Sequence, residues 1–162
     1  MFTADDLLEL HRRTQTSVQK AIEHCEDFAP EALHVEHAGF GYPTVLRQLH
    51  HVAGAERYWV GVLEGRMLDD EHDADFASLQ ALRAYREGVL SATRAAIARL
   101  SPEALATRRP MTVWGGRVVD LVPALVVLRT QTHAYQHLGQ VTAMCRLLGR
   151  PVPPGLDFPL GA

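Results

Sequence analysis

Apolar residues recur at intervals of three and four in four separate stretches of the chain, the spacing that places them on one face of an α-helix. The first stretch carries Leu7, His11, Thr14, Val18, Ile22 and Cys25, and Thr3 with Asp6 ahead of it forms a capping box with the shorter acid, so a helix is predicted from there to about residue 27. The second, about 43 to 64, has Val45, Leu49, Val52, Trp59 and Leu63 on its apolar side, Pro43 at or just before its first turn, and Gly65 as its stop. The third begins at a Ser78 cap, follows Leu79, Leu82, Arg86 or Tyr85, Val89, Thr93, Ile97 and Leu100, and is predicted to end at Ser101-Pro102. The fourth runs from Asp120, read as its cap, through Pro123 in the first turn to a left-handed stop at Gly149, roughly seven to eight turns in all.

The segments between these helices are punctuated. Pro30, Gly39, Gly41 and Pro43 make residues 28 to 43 a connection with one short helical turn at Pro30 to Leu33. Residues 65 to 77, with Asp69, Asp70, Glu71, Asp73 and Asp75 around His72, read as a solvated acidic loop; the spacing and glycine of a calcium-binding EF-hand are missing. The stretch MTVWGGRVVD places two β-branched runs around Gly115-Gly116, a hairpin signal. The tail RPVPPGLDFPLGA, with four prolines, cannot be helical and is expected to lie over the surface or an edge. The pattern predicts an all-α fold, an antiparallel four-helix bundle with a short hairpin between helices three and four.

Composition narrows the function. A chain of 162 residues, 47% hydrophobic, suits one domain spanning 1–162 with a real core. It contains no apolar run long enough to span a membrane, and the start MFTADDLLELHRR places acids where a signal peptide would be basic, so the expectation is a cytoplasmic protein with no membrane partner. Cys25 and Cys145, far apart and outside any CxxC, read as free thiols. A net charge of −3 with scattered arginines argues against nucleic acid as a partner.

The candidate chemistry lies in the nine histidines. His133 and His137 stand four apart, so on the fourth helix their imidazoles point from one face and could grip one ion. The second helix offers His50 and His51, whose side chains point about 100° apart; periodicity does not choose between them. Three imidazoles leave a coordination position open, the catalytic pattern for a divalent ion such as zinc, nickel or iron. Ala134, Tyr135 and Gln136 separate the pair, so this is not the HExxH of a zinc protease. Other histidines read more simply: His11 as a core-edge histidine or accessory ligand, His34 and His37 as a solvated surface or a second metal pair. Glu56 falls on an apolar face, where a carboxylate needs a partner, and reads either as the mate of an arginine or as a catalytic carboxylate. Tyr135 and Trp59 are candidates for the site mouth or for the core, and Gln140, one turn beyond His137, for a donor behind it.

At these residues the chain resembles the DinB/YfiT-like superfamily of metal-binding four-helix bundles, over nearly its whole length. TVLRQLHHVAGAERYW is similar to the family's second-helix stretch, with His51 in the register of the ligand histidine. HAYQHLGQV is similar to its HxxxHxGQ signature, and the ending LLGRPVPPGLDF is also like that of such proteins. The resemblance implies His51, His133 and His137 as ligands of a divalent ion. Gly54 stands where the family often has an acid, so that role is absent or passes to Glu56. Some relatives are S-transferases or isomerases that use low-molecular-weight thiols, which implies a thiol-dependent S-transferase acting on a small-molecule thiol and an electrophilic substrate. The alternatives are a metal-dependent hydrolase and a non-catalytic stress-response bundle with a structural ion. Relatives often dimerise, and Leu46 and Val60, off the main stripes, leave room for a homodimer interface.

Overall fold

The computed structural model describes residues 2–68 and 76–161, so the acidic run from Asp69 to Asp75 lies outside the described residues. Four main helices form: α1 (Ala4–Cys25), α2 (Val45–Leu63), α3 (Leu79–Ala98) and α5 (Pro123–Leu147), with a five-residue helix α4 (Pro102–Ala106) before the hairpin β1 (Arg109–Val113) and β2 (Arg117–Leu121). The expected bundle and its hairpin are both present.

Local chemistry sets the helix ends. Thr3 Oγ1 accepts from the Asp6 amide at 3.1 Å while Asp6 Oδ2 accepts from the Thr3 amide at 2.9 Å, so the capping box satisfies two otherwise orphaned donors. Thr44 and Ser78 cap α2 and α3 with a single bond each, their hydroxyls accepting from the Arg47 and Ala81 amides. Two expected ends differ. Ser101-Pro102 does not terminate α3, which stops at Ala98; Ser101 instead accepts from the Ala104 amide and starts α4, whose first position suits Pro102 because no partner is needed for the missing amide proton. Asp120 does not cap the last helix, because it pairs with Pro110 in the hairpin. The cap falls on Val122, which has no side-chain acceptor, and Pro123 sets the helical φ that begins α5. Gly149 follows its end with φ +77°.

α1 packs on α3 and α5, and α2 packs on the same two helices. Contacts fix their directions. Arg86 of α3 reaches Gln15 and Gln19 while Arg83 reaches Glu26, so α3 runs against α1. His50 meets Tyr85 and Glu64 meets Arg99, so α2 and α3 run together, and Glu64 and Ser78 stand at opposite ends of the bundle. The order is up, down, down, up, with α2 and α5 antiparallel neighbours.

The core has two apolar parts. One gathers Ile22, Leu46, Leu49, Leu82 and Met144 with Cys25 and Cys145, two free thiols that meet there. The other gathers Leu7, Val62, Ile97, Leu105 and Met111 under the hairpin. Leu46 and Val60, expected to be available for a homodimer, are 1% and 4% exposed and belong to the chain's own interior. A buried polar belt crosses the bundle, in which Glu56 accepts from His11 at 2.8 Å, Thr93 at 2.6 Å and Gln15 at 2.8 Å. On α3 the inward choice between Arg86 and Tyr85 falls to Arg86, whose guanidinium donates to the Gln15 side chain and carbonyl. The tail runs back along α1, where Ser17 donates to the Asp157 carbonyl and Arg13 to that of Pro159.

Candidate metal centre

Where α2 and α5 face each other in opposite directions, each presents a stripe at four-residue spacing: His51, Ala55 and Trp59 on α2, and Arg129, His133 and His137 on α5. The three histidines meet at one end of this seam. Their ring centroids lie 5.0 Å (His51 to His133), 4.7 Å (His51 to His137) and 4.4 Å (His133 to His137) apart, and one nitrogen from each falls within 4.8 Å of the others. The Nε2 atoms of His133 and His137 are 3.2 Å apart. Two imidazole ligands on a tetrahedral zinc, at about 2.0–2.1 Å each, would be separated by about 3.3 Å. The His133–His137 pair thus already stands at ligand spacing, and the three histidines together could hold an ion if they drew closer around it.

One neighbour sets which nitrogen of His137 is bare. Gln48 donates its amide protons to the Tyr42 carbonyl and to Gln140 Oε1, both at 2.8 Å, which turns its own oxygen toward His137 Nδ1 at 2.6 Å. An amide oxygen can only accept, so Nδ1 carries the proton and the Nε2 lone pair faces the cluster. His51 is fixed by stacking, with the Tyr42 ring parallel to it at 3.8 Å. Burial, then the neighbouring imidazoles His137 and His50, pushes His51 down from 6.5 to about 4. His133 is also lowered to about 4, by burial first and then by His137, His51 and Arg129; burial lowers His137 as well. Near neutrality all three imidazoles are uncharged, the form that donates to a metal.

Beside the cluster opens a cleft of about 440 Å³, lined by His51 and His133, by Tyr42, Tyr58, Trp59, Tyr85 and Trp114, and by Arg57 and Arg129. The hairpin forms its far wall: Trp114 stacks on Tyr58 at 4.2 Å and its amide donates to the Tyr58 hydroxyl at 2.7 Å. Ala55, small and on the stripe between His51 and Trp59, leaves the space open. Other candidates go elsewhere. His50 turns away from the cluster and stacks on Tyr85. Tyr135 faces α1 and the tail, within 3.2 Å of Ser17 Oγ and against Phe158. Gln140 acts one step removed, as an acceptor for Gln48. Glu56 lies in the polar belt, its carboxylate held by His11, Gln15 and Thr93, and does not line the cleft. Sequence reasoning missed Gln48 and Tyr42. Gln48 precedes His51 by three residues, a spacing that places it on the same face and was available as a signal; Tyr42 lies in a loop and gave none.

The comparisons agree with this architecture. The chain resembles a solved DinB-like protein from Bacillus cereus with a TM-score of 0.65 and 18% identity, over 86% of this chain and 90% of that one, a likeness of fold. No curated protein matches the sequence. The sequence matches the DinB family over residues 1–161, and the chain belongs to that family.

Proposed function

We propose that this protein is a divalent-metal enzyme in which His51, His133 and His137 hold the ion and a low-molecular-weight thiol is transferred to an electrophilic small molecule. The observation that carries this reading is the convergence of three neutral imidazole nitrogens at the edge of an aromatic cleft of ligand size. When bound, a zinc, nickel or iron ion would supply Lewis acidity that lowers a thiol's pKa and keeps it as thiolate. The chain's own residues do the rest. Gln48 holds His137 in the tautomer that donates, Tyr42 holds the His51 ring, and Tyr58, Trp59 and Trp114 give the cleft an aromatic wall. In the transfer the thiol proton passes to solvent, a sulfur–carbon bond forms, the electrophile's bond to its leaving group breaks, and that group departs with the electron pair. Glu56, whose carboxylate is held in the buried polar belt by His11, Gln15 and Thr93, is assigned a structural role. The free thiols of the core fit a reducing compartment such as the cytoplasm; among the described residues no helix is long and apolar enough to cross a membrane.

Elemental analysis of protein purified without a metal-affinity tag, beside His51→Ala and His133→Ala, tests the proposal. About one ion per chain, lost in both variants, is expected. A cobalt-substituted form should then develop a sulfur-to-metal absorption band on adding 2-mercaptoethanol. Folded protein that takes up no divalent ion overturns the metal reading, and a cobalt form whose spectrum ignores thiols overturns the transferase reading.

A further inference from the structure

The seam between α2 and α5 continues past the histidines. One turn before His133 stands Arg129, and opposite it, two turns beyond His51, stands Trp59, with the guanidinium 5.0 Å from the centre of the indole. Arg129 lies roughly 6 Å along the helix axis from His133, and both line the cleft. Stacking occupies one face of the guanidinium and restricts its rotamers, while the in-plane N–H donors stay available at the edge. Among the described residues no carboxylate pairs with Arg129. An exposed guanidinium stacked on a ring at the wall of an aromatic cleft is placed for an anion that arrives from solution.

We propose that Arg129, positioned by Trp59, is the anion subsite of this cleft, and that the ligand is a small organic carboxylate whose other end reaches the three histidines. This deepens the proposed function, and rests on it for the identity of the far end. A planar carboxylate matches the guanidinium edge with two parallel hydrogen bonds, which a neutral ester cannot reproduce. The subsite thereby selects thiols or electrophiles that carry a carboxylate about one helical turn from the reacting atom.

The chain has two tryptophans, Trp59 and Trp114, and both line the cleft, so intrinsic fluorescence reports its occupancy directly. The test titrates 3-mercaptopropionate and its methyl ester into protein stripped of metal and into the zinc-loaded form, for the native chain, Arg129→Met and Arg129→Lys, with circular dichroism as the check on folding. The expected result is that the acid binds about tenfold more tightly than the ester in both metal states, that high salt narrows the gap, that Arg129→Met abolishes it without weakening ester binding, and that Arg129→Lys restores it in part. Equal binding of acid and ester by the native chain, a preference that survives in Arg129→Met, or no response to the acid at millimolar concentrations overturns the subsite. The metal reading fails separately: zinc would then leave the ester's affinity unchanged, while the preference for the acid and its dependence on Arg129 would persist.

Discussion

His137 shows how one proton decides what a residue can do. With Nδ1 committed to Gln48 and Nε2 turned into the cluster, the ring is a ready ligand; without Gln48 either tautomer is accessible and the ring is free to rotate. Gln48→Met is expected to weaken metal binding by about 10- to 100-fold, measured by competition with a chromophoric chelator, while the fold is retained. Protonation gives a second test at this scale. His51 and His133 take up protons at about 4 in the folded chain and near the ordinary 6.5 when unfolded. Between those values the unfolded state binds more protons, so stability rises with pH there and is lost as the pH falls from about 6.5 toward 4. Urea midpoints of metal-stripped protein should show this slope, and the double variant His51→Gln, His133→Gln should flatten the difference. Equal slopes in both proteins would mean that the imidazoles are not held neutral.

At the scale of elements, α2 does the most varied work, since its faces meet α5, α3 and the hairpin. Its C-terminal turn is held close to the chain that follows. The Arg66 amide donates to the Gly61 carbonyl at 2.8 Å, and a Cβ at Gly61 would come within 2.6 Å of the Arg66 carbonyl oxygen. That neighbour is backbone, which cannot swing aside as a side-chain tip could. Gly61→Ala is therefore expected to destabilise the protein by about 1–3 kcal/mol despite alanine's better helix propensity, read as a lower denaturation midpoint. A gain in stability would show that the turn relaxes without cost. α5 differs in kind: its hairpin entry and proline start make its first residue a matter of strand pairing, which is why the acid at position 120 does not cap it.

At the scale of the whole molecule, the polar belt ties three helices to one buried carboxylate. Glu56 of α2 is 3% exposed and takes hydrogen bonds from His11 and Gln15 of α1 and Thr93 of α3. Removing it leaves those three donors buried without an acceptor, and Glu56→Ala is expected to cost about 3–5 kcal/mol of stability. Metal content of the folded fraction should stay at the native level. A loss of metal in protein that remains as stable as the native chain would move Glu56 from the scaffold to the site.

Periodicity and end signals in the sequence were sufficient for the four helices, the capping box at Thr3, the hairpin around Gly115 and the stop at Gly149, because each depends on residues a few positions apart. The His133–His137 pair was legible for the same reason. Long-range neighbours were not. Which of His50 and His51 faces α5, and which of Tyr85 and Arg86 turns inward, depends on how each helix is rotated against partners distant in sequence, and a tandem pair straddling an apolar stripe satisfies periodicity either way. The end of α3 and the cap of α5 were decided by the chain that follows or precedes them. Gln48 and Arg129 acquire roles only when α2 and α5 lie antiparallel with their stripes in register, and Tyr42 only when its loop folds onto His51; both are properties of the packed bundle.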